Sequence, residues 1–202
     1  MAKGKPSRPP GRFSVSGKTG VSGEYLERAL PAGSSLLDID LDYFNELDKP
    51  AQRLERLLNW GERPVSFIIR SHHVALRRWK ACLQERSLPA PRHILHVDEH
   101  HDMMDENPAP NIANSLFHAM RTWPEVRVHW LVQHPIDSPS MWLSDESWRL
   151  LRDRFTRGPH RPRDWPKPHV VSVCTSPRFI PEKLREELTD IVKNWQRKWP
   201  QS

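Results

Sequence analysis

Apolar and acidic positions alternate strictly through Leu37-Asp38-Ile39-Asp40-Leu41-Asp42, so an extended strand turns its aliphatic side chains to one face and three carboxylates to the other. Further on, His93-Ile94-Leu95-His96-Val97 runs as a second apolar strand into Asp98-Glu99-His100-His101-Asp102. Around these two rows, runs of strand length and stretches of helical periodicity alternate along the chain. The runs Ser35–Asp40, Val65–Ile69, His93–Asp98, Arg127–Val132 and His169–Cys174 read as strands. Pro50–Trp60, His73–Arg86, Asn111–Trp123, Asp145–Phe155 and Pro181–Trp199 read as helices. Five β-α units predict an α/β fold: a single doubly wound sheet, mostly parallel, about five strands, with helices on both faces. The Pro- and Arg-rich residues 156–168 read as a surface loop.

Composition divides the chain in two. Of the formal net charge of +6, Lys3, Lys5, Arg8, Arg12 and Lys18 supply +5 within the first twenty residues, which hold no acid. Residues 1–30 therefore read as a disordered basic tail too poor in apolar groups to order itself, and 31–202 as one folded domain. The rest of the chain is nearly neutral, which argues against nucleic acid as a partner. No secretory leader or membrane-length apolar run is visible, so the expected location is the cytoplasm, away from membrane. Cys82 and Cys174 lack Cys-x-x-Cys spacing and read as reduced structural residues.

The chemistry lies at strand ends. In an open α/β sheet, ligands bind beyond the carboxyl ends of the strands. That rule brings Asp38, Asp40 and Asp42, the pair after Ser71 (His72 and His73), and the D-x-H-x-D set Asp98, His100 and Asp102 to one rim. Carboxylates crowded beside an apolar strand need compensating cations. A donor set of oxygen and imidazole without thiolate favours Mn²⁺, with Fe²⁺, Co²⁺ or Zn²⁺ as alternatives, and is large enough for two ions. The expected ligands are Asp38, Asp40, His72, Asp98, His100 and Asp102, with Asp38 and Asp98 bridging. His73, His96, His101 and His118 read as ordinary structural histidines.

These motifs resemble the metal site of the arginase (ureohydrolase) family. There a His in a Gly-Asp-His-Ser-type turn, a D-x-H-x-D strand end and a D-x-D strand end hold two Mn²⁺. Here Arg70-Ser71-His72-His73, Asp98/His100/Asp102 and Asp38/Asp40 stand in those places, with the D-x-D strand first rather than last, so the resemblance implies a permuted strand order. The likeness is closest to peptide arginases, which convert arginine to ornithine in ribosomally made precursor peptides. It implies a hydrolase acting on C–N bonds of amidines, with a precursor peptide as partner and urea as the second product. Met104 stands where arginases acting on free arginine carry a polar residue that helps hold the α-groups, which suits a substrate whose α-groups are in peptide bonds. The resemblance makes Asp102 the group that returns the proton to the leaving amine, His134 the candidate shuttle, and Asp42 or Glu46 the candidate partner of the guanidinium. The alternatives are another binuclear-metal C–N hydrolase, agmatinase- or deacetylase-like, and a non-catalytic metal-stabilised module binding peptide or nucleic acid. The sequence leaves the oligomeric state open.

Overall fold

The computed structural model describes residues 33–135 and 137–199. The basic tail expected over residues 1–30 lies outside the described residues. Six strands form one sheet: β1 (Ser34–Asp40), β2 (Phe67–Ile69), β3 (Pro91–Val97), β4 (Arg127–Leu131), β5 (Phe155–Gly158) and β6 (Val170–Cys174). Their order across the sheet is β2-β6-β1-β3-β4-β5, and every pairing is parallel. The five expected strands are all present, and the count of five is corrected to six. The additional strand lies at the edge and pairs Phe155 to Gly158 against Val128 to Leu131. It is short, and only Phe155 of its residues is buried, so it leaves almost no apolar pattern to read.

Among the described residues five α-helices cover both faces: α1 (Pro50–Gly61), α2 (Ala75–Glu85), α3 (Ser115–Thr122), α4 (Asp145–Leu151) and α5 (Glu182–Arg197). On α1, Leu54 and Leu58 are one turn apart and buried, and on α5 so are Leu188 and Val192. They pack on one side of the sheet against Leu37, Ile39, Leu95, Val97, Val171 and Val173. The other side takes Leu36, Ile94, Val128 and Val170, covered by Trp79 of α2, Phe117 of α3 and Leu151 of α4. Alternation along each strand thus feeds two separate cores, which is what a sheet buried on both faces requires. None of the described helices is long and apolar enough to cross a membrane.

The helix after β1 lies on one face and the helices after β2, β3 and β4 on the other. β1 and β3 are neighbours, so the chain's change of direction leaves a crevice beyond their carboxyl ends. The acidic rows end there.

Candidate metal centre

The strand register decides what each aspartate meets. Asp38 stands opposite His96 of β3 and opposite Ser172 of β6. All three point to the same face, one pleat below the rim. Asp38 Oδ2 lies 2.9 Å from His96 Nδ1, and Oδ1 accepts a 2.7 Å bond from Ser172 Oγ. Ser172 Oγ in turn accepts from the Trp79 indole of α2 at 2.9 Å. Asp38 is wholly buried and spends its oxygens on these partners.

The next residue up on this face, Asp40, reaches the rim opposite Cys174. β1 ends here because residues Leu41–Phe44 form a 3₁₀ turn, begun by the Asp42 N–H donating to Asp40 Oδ1 at 3.1 Å. The turn folds Asp42 back over the crevice instead of carrying it onward as strand alternation would. Beyond β3, the His100 N–H donates to Asp98 Oδ1 at 2.7 Å, a tight local turn of the same kind. Asp102 adopts a left-handed backbone with φ 48°, a conformation Asp tolerates better than most residues. Its carbonyl accepts from the N–H groups of Leu116 and Phe117 at the start of α3, and Oδ2 accepts from Ser115 Oγ at 2.7 Å. This anchors Asp102 to a rigid helix end.

His72 sits in the middle. Nδ1 is 3.1 Å from Asp40 Oδ2, 3.4 Å from Asp98 Oδ2 and 3.3 Å from Asp102 Oδ2. Nε2 approaches Asp38 Oδ2 at 3.1 Å but without hydrogen-bond alignment, and Asp42 Oδ1 is also buried with no hydrogen-bond partner. Three sets of donor atoms lie close enough to share an ion: Asp42, Asp98 and His100; His72, Asp98 and Asp102; and Asp40, His72 and Cys174. The first two sets share Asp98.

Electrostatics agree with the geometry. Burial alone would raise Asp38, yet His72 and His96 beside it hold its carboxyl below the usual range. Burial would lower His72, but Asp38 and Asp102 beside it push it well above its ordinary value. Burial, with Asp40 next, pushes Asp42 up to about 8. Burial, with Asp42, Asp40 and Asp102 next, raises Asp98 well above its ordinary value, and burial raises Asp102 against the opposing pull of His72 and His96. Without a cation the cluster thus neutralises itself by holding protons, the behaviour of a site built for positive charge. The oxygen-rich donors and the two unpartnered buried atoms fit a divalent metal.

Above the carboxylates opens a cavity of about 540 Å³. Asp40, Asp42, His72, Asp98, His100 and Asp102 line its floor and sides, while Met104, Ile112, Ala113, Pro177 and Phe179 form an apolar wall. The loop carrying Met104 to Ala113 is tied by Asp105, which accepts from the Asn107 N–H and from the Asn111 and Asn114 amides, and by the Met104 N–H donating to the Ala113 carbonyl. Arg70 and Arg178, both exposed, stand at the mouth with His73.

Among the expected site residues, Asp40, His72, Asp98, His100 and Asp102 therefore meet at one crevice. Asp42, expected to face a substrate, lies in ligand range instead, and Asp38, expected to bridge ions, lies beneath. His134 and Glu46 are exposed and are not among the residues lining the cavity; both lie close enough to act on Glu99, whose carboxyl burial raises with help from Glu46. His96, read as an ordinary core histidine, is a wholly buried link between Asp38 and Asp98, with Nε2 3.4 Å from Asp98 Oδ2. Ser115 and Ser172, each bonding an aspartate of the cluster, escaped the reading, as did the bond of Ser176 to Asp40. Ser172 alone left a trace, as a polar residue inside the apolar run Val170–Cys174.

Comparison of the chain with protein-family models, with curated proteins and with solved structures finds no match.

Proposed function

We propose that this chain is a metal-dependent hydrolase that cuts the guanidinium group of arginine side chains within a peptide, giving ornithine and urea. The observation that supports it most is the pair of three-residue donor sets joined through Asp98 at the base of an open cavity. In this reading Asp42, Asp98 and His100 would hold one cation, and His72, Asp98 and Asp102 the other. Two Mn²⁺ suit the oxygen and imidazole donors, while the nearby Cys174 thiol leaves room for Fe²⁺, Co²⁺ or Zn²⁺. When bound, such a pair supplies a hydroxide nucleophile at neutral pH and polarises the group under attack.

The chain's own residues do the rest. Ser115 and the α3 N–H groups fix Asp102, whose carboxyl carries a proton to the departing amine. Asp38, with His96 and Ser172, fixes the ring of His72 and the carboxylate of Asp98 from below. Asp40, held by Ser176, adds negative charge where a cationic guanidinium arrives. The apolar wall around Met104 and Phe179 covers the methylene stem of the arginine side chain. Met104 offers no hydrogen bond to a free amino group, which favours arginine inside a peptide. His73 borders the cavity outside the donor sets and replaces His134 as the candidate proton shuttle. The arginase-like ancestry implied by the motifs, with its permuted strand order, belongs to the same proposal.

Kinetics with Mn²⁺ supplied, on free arginine and on an arginine-containing peptide side by side, test the substrate form. The expected kcat/KM is higher for the peptide by at least about tenfold, the scale of one lost polar contact in a desolvated site. Equal values would remove the peptide claim.

A further inference from the structure

A second cavity, of about 360 Å³, opens on the same rim beyond Tyr43. Asp42 lines the first cavity and Tyr43 the second, so consecutive residues of one 3₁₀ turn line both. The Tyr43 hydroxyl accepts a 2.7 Å hydrogen bond from the Gln133 amide, which holds this side of the turn. Three guanidiniums line the second cavity: Arg53 and Arg56 on successive turns of α1, and Arg161 from the loop after β5.

None of the three has a carboxylate within ion-pair distance among the described residues. Arg53 Nε donates to the Asp48 carbonyl, Arg161 donates to the Pro162 carbonyl, and the Arg161 guanidinium stacks 4.4 Å over the ring of Trp60. Stacking leaves the edge of a guanidinium free to grip an anion with two parallel bonds. Three uncompensated cations converging on one concave, partly aromatic surface make an anion site. The surroundings select which anion. Glu46 and Glu99 are exposed beside Tyr43, whose hydroxyl feels both Arg53 and Glu99. The carboxylate-lined first cavity next to the second repels a continuous run of phosphates, whereas a peptide with an arginine beside its carboxylates complements both cavities.

We propose that the second cavity binds an acidic segment of the peptide substrate, holding its side-chain carboxylates on Arg53, Arg56 and Arg161 while a nearby arginine enters the first cavity. The occupant's identity as substrate rests on the hydrolase reading; the anion site itself does not.

Binding of two end-labelled synthetic peptides to the metal-loaded full chain, followed by fluorescence anisotropy, tests it. Both carry one arginine; one has a run of glutamates beside it and its twin has glutamines. The glutamate peptide is expected to bind about tenfold more tightly, with the advantage shrinking as salt rises. Arg56→Glu, on the exposed face of α1, and Arg161→Gln should each erase most of that advantage, and replacing the peptide's arginine by ornithine should leave it. Equal affinity for the twins, or a preference that survives Arg56→Glu, would overturn the proposal. So would displacement of the peptide by a single-stranded oligonucleotide whose own binding is lost in Arg56→Glu, since the cavity would then be a nucleic-acid site. A preserved preference with no urea formed from either peptide would remove the hydrolase reading and keep this one.

Discussion

Asp38 and His96 stand opposite one another on neighbouring parallel strands, with Asp38 Oδ2 2.9 Å from His96 Nδ1, and this contact withdraws Asp38 from the rim. The aspartates left to meet a cation are Asp40, Asp42, Asp98 and Asp102. The two roles separate by mutation. Asp98→Asn and Asp42→Asn remove a ligand charge and should abolish tight metal loading, the first for both ions and the second for one. Asp38→Asn keeps the shape and should weaken loading by about 10- to 100-fold without abolishing it, the effect of loosening a group that orients ligands. Metal content after dialysis, with melting curves to verify the fold, reads all three. Complete loss of metal in Asp38→Asn with full loading in Asp42→Asn would reverse the assignment.

Metal uptake should release protons. Asp42 is raised to about 8, and Asp98 and Asp102 are raised as well, while a bound cation requires the ionised forms. Below pH 8 a cation that takes Asp42 as a ligand therefore displaces a proton, and as pH falls its apparent affinity should fall about tenfold per pH unit for each proton displaced. Titration calorimetry of the metal-free protein with MnCl₂, repeated in buffers of different ionisation enthalpy, counts them. A heat that does not depend on the buffer at pH 7 would contradict the protonated cluster.

The register explains how much of this centre the sequence could carry. The alternation of Asp38, Asp40 and Asp42 locates a strand end, and D-x-H-x-D locates another, because both are local patterns of period two. Which aspartate faces a cation is decided by lateral neighbours, His96 and Ser172 for Asp38 and Cys174 for Asp40, and these lie some sixty and over a hundred and thirty residues away along the chain. Strand alternation would also point Asp42 along the strand, but a hydrogen bond of 3.1 Å from its N–H to Asp40 Oδ1 starts a turn instead. β5 stayed hidden for a different reason: an edge strand with one buried apolar residue needs no pattern of its own once Arg127–Leu131 offers it a partner.

A buried histidine outside the donor sets gives a pH effect of known sign. His101 is wholly buried against Trp130, and its Nδ1 accepts from the Met103 N–H at 3.1 Å, so the neutral ring carries its proton on Nε2. Burial pulls its pKa down from 6.5 to about 4. Above pH 6.5 the ring is neutral in both folded and unfolded chains, and its full contribution is present. Between 6.5 and 4 only the unfolded chain takes up the proton, so stability falls as pH falls, by on the order of 3 kcal/mol across the window. Melting temperatures of the metal-free protein from pH 7 to 4.5 should fall more steeply for the wild type than for His101→Gln. Parallel curves would show that His101 does not carry this part of the acid sensitivity.

Mass spectrometry of peptide products tests the hydrolase reading at its core. The protein, loaded with Mn²⁺, is incubated with a mixture of synthetic peptides carrying arginine in varied contexts. Attack of hydroxide on the guanidinium carbon should lower the mass of a modified peptide by about 42 Da per arginine, the difference between arginine and ornithine, and release one urea for each. Asp98→Asn should produce neither change. Unaltered peptide masses from protein shown to hold its metal, or an equal mass loss with Asp98→Asn, would contradict hydrolysis at this centre.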